Sequence, residues 1–276
     1  MKNKGLFVVL TGLLSLSLIA GSYLLAGKKE ITIKGSTTVL PIAQACAEAY
    51  MHKYEDVDIS VQGGGSGVGI ASVMDGTADI GDASRPAKDK EIAKAKENGI
   101  ELYQNVIAKD GIAIIVHPSN PINEITREQA KAIYTGKITN WKELGGKDAE
   151  IVVVNRDSAS GTFETFNEIV LKKEKVFPSA LQKMSNRGVA DTVTVTELAI
   201  GYIGMGYITP KVKALVVEGV KPTKENVVDG TYPIARDLYM YTNGKPKGVV
   251  ASFIGFVLSK DGQKLVEQEG FVSILK

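Results

Sequence analysis

The sequence predicts an α/β fold, on three observations. Short apolar runs alternate with amphipathic helical patterns through most of the 276 residues. Three of these runs end in turns rich in glycine and hydroxyl side chains, each opening a helical pattern: Gly35 to Thr38, Gly63 to Gly69, and Arg156 to Thr162. The composition, 44% hydrophobic and 7% aromatic, supplies two modest cores more readily than one large one. Open α/β sheets bind ligands at the C-terminal ends of their strands, which is where all three turns fall.

The first 26 residues belong to targeting. Lys2 and Lys4 precede an uncharged, largely apolar run from Gly5 to Ala26, the pattern of a signal peptide or an N-terminal membrane anchor. Leu18-Ile19-Ala20-Gly21-Ser22 has the outline of a lipoprotein cleavage box, but serine stands where the lipid-bearing cysteine is required. Cleavage near Gly21 or Ala26 and retention as an anchor are both open. The chain beyond carries 31 basic and 31 acidic residues, so no overall field draws in an anion, and no basic tract suits nucleic acid. Any anion must be held by locally aimed donors.

Ile31 to Lys34 forms the first strand, and its turn leads past Pro41 into a helix with Ile42, Cys46, Ala49 and Tyr50 on one face. Cys46 is the only cysteine and reads as a buried thiol with no disulfide partner. Val57 to Val61 alternates as a strand, and its glycine turn precedes Ile70, Val73 and Met74. A strand over Ala78 to Gly81, a helix from Lys88 to Asn98, and strands over Ile100 to Ile107 and Gly111 to Val116 follow. Thr126 to Tyr134 is a helix capped by Thr126, with Ala130, Ile133 and Tyr134 inward. Ile151 to Val154 is a strand ending at Asn155, and the next helix opens near Ser160 with Phe163, Phe166, Ile169 and Val170 on one face. Strands over Ala199 to Ile203 and Leu215 to Val217, then helices over Val249 to Leu258 and Asp261 to Gln268 with Gly270 as stop, complete the chain.

The Arg156 turn gathers a guanidinium, three hydroxyls and the free N–H groups of a helix start within seven residues. Alone it fits either a seat for a small oxyanion or a capped helix N-terminus. Two further turns of the same chemistry favour the oxyanion. No G-x-G-x-x-G or P-loop pattern is present, which removes the dinucleotide and P-loop readings. No serine sits in G-x-S-x-G, His52 and His117 are the only histidines, and no His/Cys/Asp grouping has metal-ligand spacing. A hydrolase, a metal and a cofactor are therefore not expected.

Gly35-Ser36-Thr37-Thr38-Val39-Leu40-Pro41, Gly63 to Gly67, Asp79 to Arg85, Asp110 to Val116, Ile133 to Gly146, Arg156 to Thr162 and Ala199 to Ile203 follow one another collinearly. In that order they resemble the phosphate-binding proteins of phosphate ABC transporters, from about residue 31 to the C-terminus. The most family-specific piece, Tyr134 to Trp141, carries no ligand chemistry and reads as a packed turn around Trp141. The resemblance implies an α/β, two-lobe periplasmic-binding-protein fold of type II joined by two crossing strands, near Ile112 to His117 and Ala235 to Asn243. The first lobe would be discontinuous, 27–112 and 240–276, and the second would span 113–239.

The resemblance further implies an extracytoplasmic, monomeric, non-catalytic carrier, periplasmic or at the cell surface, that closes over inorganic phosphate and delivers it to membrane ABC permease subunits. Its phosphate-binding residues would be Ser36, Thr37, Thr38, Ser66, Gly67, Ser84, Arg85, Asp110, Arg156, Ser158, Ser160, Gly161 and Thr162. A carboxylate in such a site accepts the proton that phosphate keeps and repels sulfate, which keeps none. Ser84 stands where some members carry that acid, so Asp110 is the first choice here and Asp82 the second. Competing readings are another tetrahedral oxyanion (tungstate, molybdate or sulfate) and a phosphoester hydrolase on the same anion seat.

Overall fold

The computed structural model describes residues 28–275, and the segment expected to serve targeting lies outside them. In chain order the elements are β1 (Lys29–Gly35), α1 (Leu40–Lys53), β2 (Val57–Gly63), α2 (Ser66–Met74), β3 (Ile80–Ala83), α3 (Asp89–Glu97), β4 (Leu102–Val116), β5 (Glu124–Ile125) and α4 (Arg127–Tyr134). There follow β6 (Val152–Arg156), α5 (Gly161–Phe166), β7 (Leu181–Lys183), α6 (Asn186–Val195), β8 (Ala199–Gly204), β9 (Lys213–Ala214), β10 (Val216–Val217), α7 (Lys224–Val228), β11 (Ala235–Asn243), α8 (Gly248–Val257) and α9 (Lys260–Gln268). The alternation of strand and helix matches the predicted class.

The main sheet runs β2-β1-β3-β11-β4-β8-β6-β7, with β9 beside β4. β1 is parallel to β2 and β3, and β6 is parallel to β8 and β7, whereas β11 and β4 cross the middle antiparallel to their neighbours. Each parallel group feeds its helices through turns at the carboxyl ends of its strands, so the two sets of turns face one another across the centre.

β4 makes the molecule two-sided. Its residues Leu102 to Gly111 pair with β11, and Ile112 to Val116 pair with β8. The first half packs Ile31, Ile33, Ile42, Cys46, Phe253 and Val257 into one core, and the second half packs Ile114, Tyr134, Trp141, Phe166 and Tyr202 into another. The separate strands expected over Ile100 to Ile107 and Gly111 to Val116 are one strand. Asp110 and Gly111 do not break it because they stay in register with Arg236 and Ala235 of β11. β11 keeps to the first half along its whole length, so a boundary between residues 239 and 240 falls inside a strand. Of the strand expected over Leu215 to Val217, Val216 and Val217 form β10, paired with β5, and a separate β9 beside β4 precedes Leu215.

Two local expectations held for the physical reasons given. Thr126 caps α4 by accepting from the Gln129 N–H at 3.1 Å. Trp141 is 1% exposed in a single 3₁₀ turn and donates its indole N–H to the Leu198 carbonyl at 3.0 Å.

Candidate functional site

The first turn is fixed by its glycine. Gly35 has φ of +139°, and a Cβ there would strike the Asp82 carbonyl oxygen, to which the Ser36 N–H donates at 2.8 Å. The Ser36 hydroxyl accepts from the Thr38 and Val39 N–H groups at 3.1 and 3.4 Å. With the backbone so tied, Thr37 and Thr38 project toward the other half. Thr37 Oγ1 accepts from Arg156 Nη2 at 3.3 Å and Asn186 Nδ2 at 3.1 Å. Thr38 Oγ1 accepts from Asn186 Nδ2 at 2.9 Å and lies 3.0 Å from Thr162 Oγ1.

The second turn brings in Ser66, at the start of α2. Its hydroxyl accepts from the Ser84 N–H at 2.9 Å and lies 3.3 Å from the Ser84 hydroxyl. The Gly67 N–H donates to the Ala159 carbonyl at 3.0 Å, a main-chain bond from one half to the other. Gly161 meets this surface directly. A Cβ on it would overlap the Ser66 hydroxyl and come within 2.7 Å of that of Ser84, so only glycine lets the halves approach this closely.

The third turn follows β6, as predicted. Ser160 caps α5 through the Phe163 N–H at 3.1 Å, so its hydroxyl serves the cap. Behind the turn, Tyr202 stacks on Phe166 at 4.0 Å, accepts from the Arg156 N–H, and donates to Asn155 Oδ1 at 2.6 Å. This buried aromatic layer fixes where Arg156 leaves the strand. The Arg156 side chain donates through Nε to the Lys183 carbonyl at 3.0 Å and through Nη2 to the Met184 carbonyl at 3.1 Å, while the buried Nη1 has no partner. Burial pushes its pKa down, joined by the charge of Arg236, with Tyr202, the Asp157 carboxylate 3.8 Å away and Tyr207 opposing the shift.

At the centre stands a residue that the sequence reading did not find. Arg236 donates from Nε and Nη2 to Asp110 Oδ2 at 2.9 and 2.7 Å, and both side chains are almost fully buried. Its Nη2 also reaches Thr38 Oγ1 at 3.2 Å and Thr162 Oγ1 at 3.1 Å, and its Nη1 reaches the Ser84 carbonyl and hydroxyl at 3.2 Å. Asp110 Oδ1 accepts from the Met205 N–H at 3.0 Å. Burial raises the Asp110 carboxyl above its ordinary value, against the pull of Arg236 and of that N–H. Asn186 is the second residue missed. Fully buried, it joins Thr37 and Thr38 to the Gly204 N–H. The available signals were an arginine at the head of the apolar run Leu238 to Tyr241 and, for Asn186, the Ser185-to-Gly188 turn that opens α6.

Of the expected residues, Ser36, Thr37, Thr38, Ser66, Gly67, Ser84, Asp110, Arg156, Ser160, Gly161 and Thr162 come together here. Arg85 is buried beside them but turns both guanidinium nitrogens to Glu91, each at 2.8 Å. Ser158 is exposed and joins none of these bonds. Asp82 contributes its carbonyl to the first turn, whereas its carboxyl has a buried oxygen without a partner and is held by desolvation well above the carboxylate range. Burial pushes the nearby Cys46 thiol up to about 12.

A buried, cross-cleft array of hydroxyls and two guanidinium groups can hold a small, multiply acceptor anion. A family model of the PBP superfamily domain matches residues 25–261. The phosphate-binding protein PstS of Bacillus subtilis is 39% identical over 247 residues, covering 89% of this chain and 81% of that one. PstS of Staphylococcus aureus is 32% identical over 260 residues, covering 89% and 79%. Among solved structures, one named as a phosphate ABC transporter substrate-binding protein with bound phosphate, from Clostridium perfringens, has a TM-score of 0.84 and 41% identity, over 90% of this chain and 100% of that chain. An ABC-type phosphate transport receptor from Vibrio cholerae has a TM-score of 0.72 and 34% identity, over 88% and 99%.

Proposed function

The chain belongs to the phosphate-binding PstS family of the PBP superfamily, and from that membership we propose that it captures inorganic phosphate between its two halves and passes it to a membrane ABC permease on the extracytoplasmic side. The relatives are substrate-binding transport proteins, and the role proposed here is likewise carriage without chemistry. The lobes are residues 28–111 with 235–275, and 112–234, divided where β4 changes partner and where β11 begins.

The observation that carries this reading is the partnerless, buried Nη1 of Arg156 beside hydroxyls contributed by both halves. A buried cation with an unmade hydrogen bond is costly, on the order of 1–3 kcal/mol for the bond alone, and an anion in the cleft removes that cost. The donors are Ser66, Thr162, the Gly161 N–H and Arg156, with Thr38 orienting the Thr162 hydroxyl. Ser36, Thr37, Gly67, Ser84 and Ser160 hold the turns that carry them. Phosphate accepts about a dozen hydrogen bonds over four oxygens, and donors fixed in advance bind it with little ordering entropy.

Calorimetric titration with phosphate, sulfate and molybdate in parallel tests the reading. Phosphate binds at micromolar Kd or tighter, about −8 kcal/mol, and the others more weakly. Saturation by sulfate or molybdate without response to phosphate would overturn it.

A further inference from the structure

We propose that Arg236 is a second ligand-facing cation of this site, and that Asp110 is a positioning residue that acts through Arg236 without meeting the ligand. This rests on the phosphate-binding reading and deepens it.

The geometry around the carboxylate leaves it no open side toward the hydroxyls. Asp110 Oδ2 is taken by Nε and Nη2 of Arg236, and Oδ1 by the Met205 N–H. Gly204 covers it closely, since a Cβ there would sit 3.0 Å from Oδ2 and 3.3 Å from Oδ1. The guanidinium reaches beyond Asp110 to three hydroxyls: Nη2, shared with Asp110, meets those of Thr38 from the first half and Thr162 from the second, and Nη1, which Asp110 does not hold, meets that of Ser84.

Those contacts fix which way the hydroxyl protons point. A hydroxyl has two lone pairs and one proton. Thr38 Oγ1 accepts from both Arg236 Nη2 and Asn186 Nδ2, so its lone pairs are filled and its proton turns to Thr162 Oγ1; Thr162, filled in turn by Thr38 and Arg236 Nη2, has its own proton left to donate. Thr37 Oγ1 is filled in the same way by Arg156 Nη2 and Asn186 Nδ2. Arg236 thereby wires the ring as a set of donors for an acceptor-only ligand, in addition to its own charge. Asp110 holds that guanidinium at a fixed angle by accepting from both Nε and Nη2 on one oxygen while the Met205 N–H fixes the other.

The consequence for selectivity differs from that of a carboxylate aimed at the ligand. A facing acid repels sulfate, and its amide would admit it. A positioning acid, once replaced, loosens Arg236 and weakens every tetrahedral oxyanion alike.

Phosphate and sulfate titrations of the parent protein, Asp110→Asn, Arg236→Gln and the double variant separate the two. The double variant removes both buried charges together, so it leaves neither stranded where the single changes do. Arg236→Gln should weaken phosphate at least about thirtyfold, and Asp110→Asn at least about tenfold, with no gain of sulfate binding. Adding Asp110→Asn to Arg236→Gln should change phosphate affinity by less than about threefold, because a residue that acts through another has no effect in its absence. Sulfate binding gained in Asp110→Asn with phosphate retained would overturn the proposal. So would Arg236→Gln binding phosphate within about threefold of the parent, or losses that simply add in the double variant. A parent protein that does not bind phosphate would remove the functional reading itself, and this inference with it.

Discussion

The two sides of the cleft carry positive charge differently. On the first half each buried guanidinium is met by a carboxylate, Arg236 by Asp110 at 2.7 Å and Arg85 by Glu91 at 2.8 Å. On the second half Arg156 is met by two carbonyls and a threonine hydroxyl, with the Asp157 carboxylate 3.8 Å away. The neutralised side sets geometry and the unneutralised side supplies net charge. A buried charge lacking a matching partner is a strong liability, so the second half is the one whose energy changes most when an anion arrives.

The largest expected effect follows from removing that unmatched charge. Arg156→Ala should cost about 2–5 kcal/mol of phosphate binding by calorimetry. Arg85→Ala, on the matched side, should leave phosphate affinity within about threefold and instead lower the melting temperature, because Glu91 loses its bidentate partner. Equal losses of affinity from the two changes would erase the contrast.

Next in size is the contact between the sides. Gly161→Ala places a methyl group on the Ser66 hydroxyl only when the halves meet. Overpacking of this kind costs about 1–3 kcal/mol, charged here to the closed state. Phosphate affinity should fall accordingly, and small-angle scattering should show less compaction with phosphate than in the parent. Undiminished compaction would show that the halves do not close on this glycine.

A smaller effect is expected at the rim. Lys88 of the first half and Glu164 of the second lie 2.6 Å apart, each about one-third exposed or less. Lys88→Ala should speed phosphate release by a few-fold at low ionic strength, the scale of about 0.2–1 kcal/mol for a partly exposed pair, and the difference should shrink in high salt. A salt-independent effect would point to packing by the lysine stem instead.

The smallest effect concerns a carboxyl outside the ring. Burial alone holds the Asp82 carboxyl in the fold well above its ordinary, unfolded pKa. Between those two values the folded protein keeps a proton that the unfolded chain has released. Stability is therefore fully present below the unfolded value and falls as pH rises toward the folded one. Asp82→Asn should flatten that decline in melting temperature without altering phosphate affinity near neutrality. A slope identical to the parent's would mean that Asp82 ionises in the fold without penalty.

What the sequence disclosed and what it hid follow the same division. The strand-to-helix turns were legible because their function is written locally, in glycines where backbones must approach and hydroxyls where helices begin. Gly35, Ser66, Ser160 and Gly161 all fall where that logic puts them. Arg236 and Asn186 were not legible because the partners that place them in the ring, Asp110 and Thr38, lie more than 100 residues away, in the register of β11 with β4 and in the approach of α6 to the first turn. Asp110 illustrates both. Its place at the centre came from resemblance, whereas its environment, an arginine on one oxygen and a backbone N–H on the other, depends on pairing that no local pattern encodes. Joining two expected strands into β4 has the same cause, since Asp110-Gly111 reads as a break until β11 is laid beside it.

The central claim is that an oxyanion sits between the two halves, against the unmatched charge of Arg156. Anomalous diffraction from crystals grown with arsenate, the heavier tetrahedral analogue of phosphate, tests it most directly. The account predicts one arsenic peak between the two halves, with its oxygens about 2.7–3.1 Å from Arg156 Nη1 and from the hydroxyls of Ser66 and Thr162. A peak outside the cleft, or none in crystals saturated with arsenate, would contradict it.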